Sequence, residues 1–145
     1  MRAVIQIVSS ANVRVDNKIV GEIGHGYLVL LAIHTNDTED KIIKMVDKIV
    51  NLRIFPDRED KMNLNLDDTG GEMLLVSQFT LYGDVRKGNR PSFTDSAKPI
   101  KAVPYYEKVV SLLKQKGIKV ATGQFGAMMQ VSLINEGPTT IVIDL

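Results

Sequence analysis

A chain of 145 residues, 44% of them hydrophobic, has the size of one domain and enough apolar material to bury a core of its own. Its 18 basic and 17 acidic side chains leave a formal charge of +1, which excludes a strong general field for wrapping long nucleic acids. The absence of cysteine excludes disulfide scaffolds, thiolate metal sites and cysteine nucleophiles, and no apolar run approaches the roughly 20 residues of a membrane-spanning helix. The opening residues also lack the pattern of a signal peptide. A soluble, cytosolic protein with no membrane partner is expected.

From Ala3 to Ile23 the chain reads as strands, with Asp16-Asn17-Lys18 turning one into the next. Tyr27 to Ile33 is short, apolar and rich in branched residues, as in a central strand covered on both faces. Asp37 or Thr38 is placed to cap a helix whose Ile42, Ile43, Val46, Ile49 and Val50 follow the three-four spacing of an amphipathic face. Residues 56–71 are charged and rich in Asp, Asn and Gly, and predict a connection with a short extended piece around Met62 to Leu66. A buried strand, Met73 to Val76, then runs straight into Ser77-Gln78-Phe79-Thr80.

A second helix is predicted from about Lys98 to Lys116, with Val103, Tyr106, Val109, Val110 and Leu113 on one face and Gly117 as its terminator. Three further strands follow, at 118–121, 129–134 and 140–143, the last two separated by an apparent turn at Asn135-Glu136-Gly137-Pro138. No repeat or linker divides residues 1–145. The expected architecture is one α/β domain with a mixed or antiparallel sheet and both main helices on one face.

The common catalytic kits are missing. His25 and His34 are the only histidines and have no zinc-ligand spacing, the carboxylates crowd into loops without marking an acid/base pair, and no phosphate loop is present. No metal or cofactor is therefore expected. Ser77-Gln78-Phe79-Thr80 offers two hydroxyls, an amide and backbone N–H groups at a strand end, the materials of an oxyanion hole, although spacing alone favours a strand with a polar outer face. Thr80 has no base placed by sequence to take its proton. The loop Arg86-Lys87-Gly88-Asn89-Arg90 carries three basic residues in five positions, which on their own more often form a solvated loop than a phosphate contact.

Ser77-Gln78-Phe79-Thr80 and Asn135-Glu136-Gly137-Pro138-Thr139 resemble the two signature motifs of the D-aminoacyl-tRNA deacylases. Met1 to Gln6, Asn51 to Phe55, Lys61 to Leu64, Arg86 to Phe93 and Thr122 to Gly126 are similar to that family in the same order. The resemblance implies a layered α/β/β fold and hydrolysis of the ester of D-aminoacyl-tRNA, with glycyl-tRNA also cleaved. It implies a homodimer in which Gly137-Pro138, in cis, reaches into the partner's site and rejects the side chain of an L-amino acid. Ser77, Gln78, Phe79 and Thr80 would line the reaction centre. Phe125 and Met129 would form the pocket for the terminal adenosine, with Asn135, Arg86, Lys87 and Arg90 as further substrate contacts at the 3′ acceptor end of aminoacyl-tRNA.

An aminoacyl ester is already activated and has a neighbouring ribose hydroxyl, so positioning and oxyanion stabilisation would replace a conventional base. The chain departs from the family pattern at Ile7, where many members have an arginine thought to support the Gly-Pro loop. Two alternatives stay open: a sister deacylase that removes an L-amino acid from mischarged tRNA, and a non-catalytic nucleic-acid-binding domain that stacks bases on Phe79, Phe93 or Phe125. An unspecialised esterase is a third.

Overall fold

Strand β1 (Arg2–Val15) organises the sheet, and the computed structural model describes every residue from Met1 to Leu145. One edge of β1 pairs antiparallel first with β3 (Gly26–Ala32) and then with β2 (Lys18–Ile23), while β8 (Gln130–Asp144) follows its other edge almost throughout. The turn from β1 to β2 places Asp16 and Asn17 at φ 48° and 62°, as a two-residue hairpin of the twist-matched type requires. Strands β6 (Glu72–Ser77) and β7 (Val120–Thr122) extend the sheet in parallel, in the order β2-β1-β3-β6-β7. The sheet is mixed, as expected.

Side chains alternate across a strand, so β1 and β3 feed two cores. Ala3, Ile5, Ile7, Tyr27, Val29 and Leu31 face the core that includes both helices, whereas Val8, Ala11, Val13 and Leu28 join Leu74 and Val76 in a second core. The prediction that 27–33 would be covered on both faces is met. The sheet curls enough that a Cβ at Gly21 would lie 2.4 Å from the carbonyl oxygen of Thr122, which brings β2 against β7.

Helix α1 (Glu39–Val50) buries Ile42, Met45, Val46 and Ile49. Ile43 is 55% exposed, contrary to expectation, because Met45 closes the apolar face instead. Thr38 stands at the N-cap but its hydroxyl bonds Asp40, and Asp37 is drawn inward to accept from the Met1 amine at 2.7 Å and the His34 amide at 2.7 Å. Burial lowers the proton affinity of that amine despite its ion pair with Asp37. In helix α2 (Pro99–Gln115), Ala102, Tyr106, Val109 and Leu113 are buried, and Pro99 sits in the first turn, where its missing amide costs little. Neither helix is long and apolar enough to cross a membrane.

Between α1 and β6 the connection contains only a two-stranded ribbon, β4 (Phe55–Pro56) with β5 (Met62–Leu64). The tail corrects the predicted turn. Residues 130–144 form one strand rather than two, and register shifts opposite Gln6, Val8 and Ser10 show Asn135 to Pro138 as an irregularity within β8, not a reversal. A Gly-Pro pair is legible as a chain break in sequence, but here β1 supplies a partner on both sides of it.

Candidate active site

Strand β6 ends at Ser77, and the Gln78 amide still donates to the Leu31 carbonyl at 2.8 Å. The chain then tightens into a 3-10 turn, Phe79–Tyr82, with the Leu81 amide bonded to Gln78 O at 3.3 Å and Gly83 N to Thr80 O at 2.9 Å. This is the carboxyl end of a parallel strand, where open α/β sheets form their crevices.

The crevice is a cavity of about 630 Å³, bounded by Ser77, Gln78, Phe79 and Thr80 on one side and by Phe125, Gly126, Met128 and Met129 on the other. Val76, Ala97 and Ala102 contribute to its apolar wall, and no lining residue carries an ionisable side chain. The four residues expected at the reaction centre and the two expected around the adenosine thus meet in one place. Phe125 packs edge-on against Tyr106, with ring centroids 6.1 Å apart, and the Tyr106 hydroxyl donates to Leu75 O at 2.7 Å. Burial pushes that phenol far above its ordinary pKa, so it stays a neutral structural donor.

Thr80 shares its hydroxyl oxygen with Gln78, whose Nε2 donates to it at 2.5 Å. A donor on that oxygen reduces its nucleophilicity, and no base lies in the cavity wall to reverse the effect. What the crevice offers is the Gln78 side-chain amide and the Ser77 and Thr80 hydroxyls beside an apolar, aromatic-walled recess. That combination suits an uncharged flat aromatic ring joined to a polar group that can accept and donate hydrogen bonds.

Other expected residues lie outside this cavity. Gly137 and Pro138 are exposed on β8, joined by a cis peptide bond, and do not line the crevice of their own chain. Asn135 is spent on scaffolding: its Nδ2 donates to Ile7 O at 2.9 Å and Thr139 O at 3.1 Å, while its Oδ1 accepts from Gln6 Nε2 at 3.0 Å and Thr140 Oγ1 at 3.3 Å. The Ile7 side chain is itself buried in the helix-side core. Gln6 on β1 and Asn135 on β8 therefore brace the Gly-Pro segment together.

The basic loop flanks the crevice. An antiparallel bridge between Asp84 and Ser92 closes its base, and Phe93 meets Phe79 edge-on at 5.2 Å. Arg86 is held by Asp84 through Nε–Oδ1 and Nη2–Oδ2 bonds of 2.9 and 2.7 Å, which also keep the Asp84 carboxyl down at about 2. Lys87 and Arg90 are exposed. The His25 ring lies tilted against Phe55 and His34 meets Tyr82 edge-on, and neither histidine lines the crevice. Sequence reasoning missed Ala97, Pro99 and Ala102 as walls, because small apolar residues reveal only that they leave room.

The sequence model described as D-Tyr-tRNA(Tyr) deacylase matches residues 4–144. The chain belongs to that family. It is 55% identical over 144 residues to a D-aminoacyl-tRNA deacylase of Clostridioides difficile (strain 630), a match spanning 99% of this chain and 97% of the relative. It is also 58% identical to an inactive D-aminoacyl-tRNA deacylase of Bacillus subtilis (strain 168), but there 98% of the relative spans only 89% of this chain. Among solved structures, one described as c-Myc DNA Unwinding Element Binding Protein superposes with a TM-score of 0.94 at 38% identity, covering 100% of this chain and 99% of that one.

Proposed function

We propose that this protein hydrolyses the ester between a D-amino acid and the 3′-terminal ribose of tRNA. The observation that carries the reading is the crevice itself, in which the Ser77–Thr80 segment faces Phe125 and Met129 with no ionisable side chain between them. Phe125 and Met129 flank the terminal adenine, and the amides around Phe79 and Thr80 receive the oxygen that becomes negative as water attacks the carbonyl carbon. The ester C–O bond then breaks, the ribose oxygen takes a proton, and free amino acid and tRNA leave. The neighbouring ribose hydroxyl assists the proton transfer that a side-chain base performs elsewhere.

Chirality is selected by the Gly137-Pro138 backbone of a partner subunit in a homodimer. In support, this pair is exposed and does not line its own crevice, and the same strand carries Ile134 and Val142, each 62% exposed. Because rejection acts on a side chain, glycyl-tRNA is also a substrate. Lys87 and Arg90 contact the acceptor-end phosphates.

The name of the solved DNA-binding relative favours a second reading, a nucleic-acid-binding module in which the basic loop and Phe79 form the contact surface. Deacylation of matched D-tyrosyl- and L-tyrosyl-tRNA by purified protein separates the two. Multiple turnovers on the D-ester alone support the hydrolase; stoichiometric binding of RNA or DNA with both esters intact supports the module.

A further inference from the structure

We infer that Ser96 is a positioning residue for this reaction, orienting the Thr80 amide through the carbonyl of Phe79. The inference rests on the proposed use of that amide at the oxyanion. Ser96 Oγ donates to Phe79 O at 2.8 Å across 17 residues of sequence. The Phe79 carbonyl and the Thr80 N–H belong to one planar peptide unit, and in a trans peptide they point in opposite directions. Ser96 is not part of the cavity wall, whereas Phe79 and Thr80 are. A carbonyl drawn toward Ser96 therefore turns the N–H of the same unit to the other side.

Ser96 has the rigidity this task needs. It pairs with His34 in an antiparallel bridge, and its neighbours are pinned beyond the end of β3 by Thr35 N–Asp95 O and Ala97 N–Ile33 O bonds, both 2.9 Å. Its own amide donates to Phe93 O at 3.1 Å, and Phe93 packs on Phe79. The post that holds the carbonyl is thus anchored to the sheet. The turn it steadies is only four residues long and has little cooperative stability of its own.

The test compares wild type, Ser96→Ala and Ser96→Thr in steady-state deacylation of D-tyrosyl-tRNA, with thermal melting alongside. A lost orienting hydrogen bond is expected to lower kcat about 10-fold in Ser96→Ala, with KM and Tm close to wild type, and Ser96→Thr is expected to restore kcat. Unchanged kcat in Ser96→Ala, or a loss carried by KM or Tm that threonine does not rescue, overturns the inference. A second readout is independent of turnover: the Thr80 amide ¹H–¹⁵N resonance should shift and its hydrogen exchange accelerate in Ser96→Ala alone. An inactive wild type would refute the proposed function, while an unmoved Thr80 resonance would refute the role of Ser96.

Discussion

Asn135 Nδ2 donates to the carbonyl oxygen of Ile7 at 2.9 Å, tying the start of the Gly-Pro irregularity in β8 to the matching break in β1. The same amide reaches Thr139 on the far side of the motif, so one side chain spans the segment. Removing it in Asn135→Ala strands the half-buried acceptors it served and should cost about 1–3 kcal/mol of stability. Denaturant unfolding checks the loss; the ratio of D- to L-tyrosyl-tRNA cleavage should fall with it. Stability within error of wild type would mean that Gln6 and Thr140 hold the segment without Asn135.

Gly137 adopts φ +106°, and a Cβ there would sit 2.7 Å from the Thr139 amide nitrogen. Gly137→Ala must move that backbone, because a left-handed φ and a backbone clash coincide. Chiral discrimination should weaken, because in the proposed homodimer each crevice receives the altered segment of its partner. Steady-state kinetics on both esters measures this.

With no ionisable side chain in the wall, kcat should show no titration with a midpoint between pH 5 and 8 that belongs to the enzyme. Thr80→Val should lower kcat without abolishing it. Intact-protein mass spectrometry during turnover should find no acyl group on wild-type Thr80; a trapped acyl-threonine would replace water attack with a covalent mechanism.

Arg86 spends its guanidinium on Asp84, so its share of RNA binding should be smaller than that of Lys87 or Arg90. Lys87→Ala and Arg90→Ala should each flatten the slope of log affinity against log salt by about 0.7, as for one single-strand phosphate contact. Arg86→Ala should change it less. Asp84→Asn should steepen the slope by freeing the arginine.

Glu72 accepts from Lys119 Nζ and from the Gly24 amide, and these bonds, led by Lys119, lower its pKa from 4.5. The folded state therefore binds this proton less readily than the unfolded chain, and stability rises with pH across the interval between the two values. The contribution is complete above 4.5 and is lost as pH falls through the depressed value. Glu72→Gln should flatten acid unfolding in that window, as followed by circular dichroism; an unaltered profile would show that solvent screens the exposed pair.

Local chemistry determined much of this molecule in the sequence itself. Asp16-Asn17 marks a hairpin because both residues tolerate positive φ, residues 27–33 read as central because every position is apolar, and the two helices show in the recurrence of Ile42, Val46, Ile49 and Tyr106, Val109, Leu113. Ser77–Thr80 stood out as polar residues directly after a buried strand. The family's signature words, read in order, single out Ser77–Thr80, Phe125 and Met129, which line one cavity in the fold.

Tertiary structure alone decided the rest, because it depends on partners distant in sequence. Gly137-Pro138 reads as a turn until β1 is seen pairing on both sides of it. Asn135 reads as a ligand until its four hydrogen bonds are counted within the fold. Ala97 and Ala102 carry no chemical signal, and their role as cavity walls comes from packing around empty space. Ser96 is an ordinary loop serine in the sequence. Only the fold brings its hydroxyl to the Phe79 carbonyl, 17 residues away.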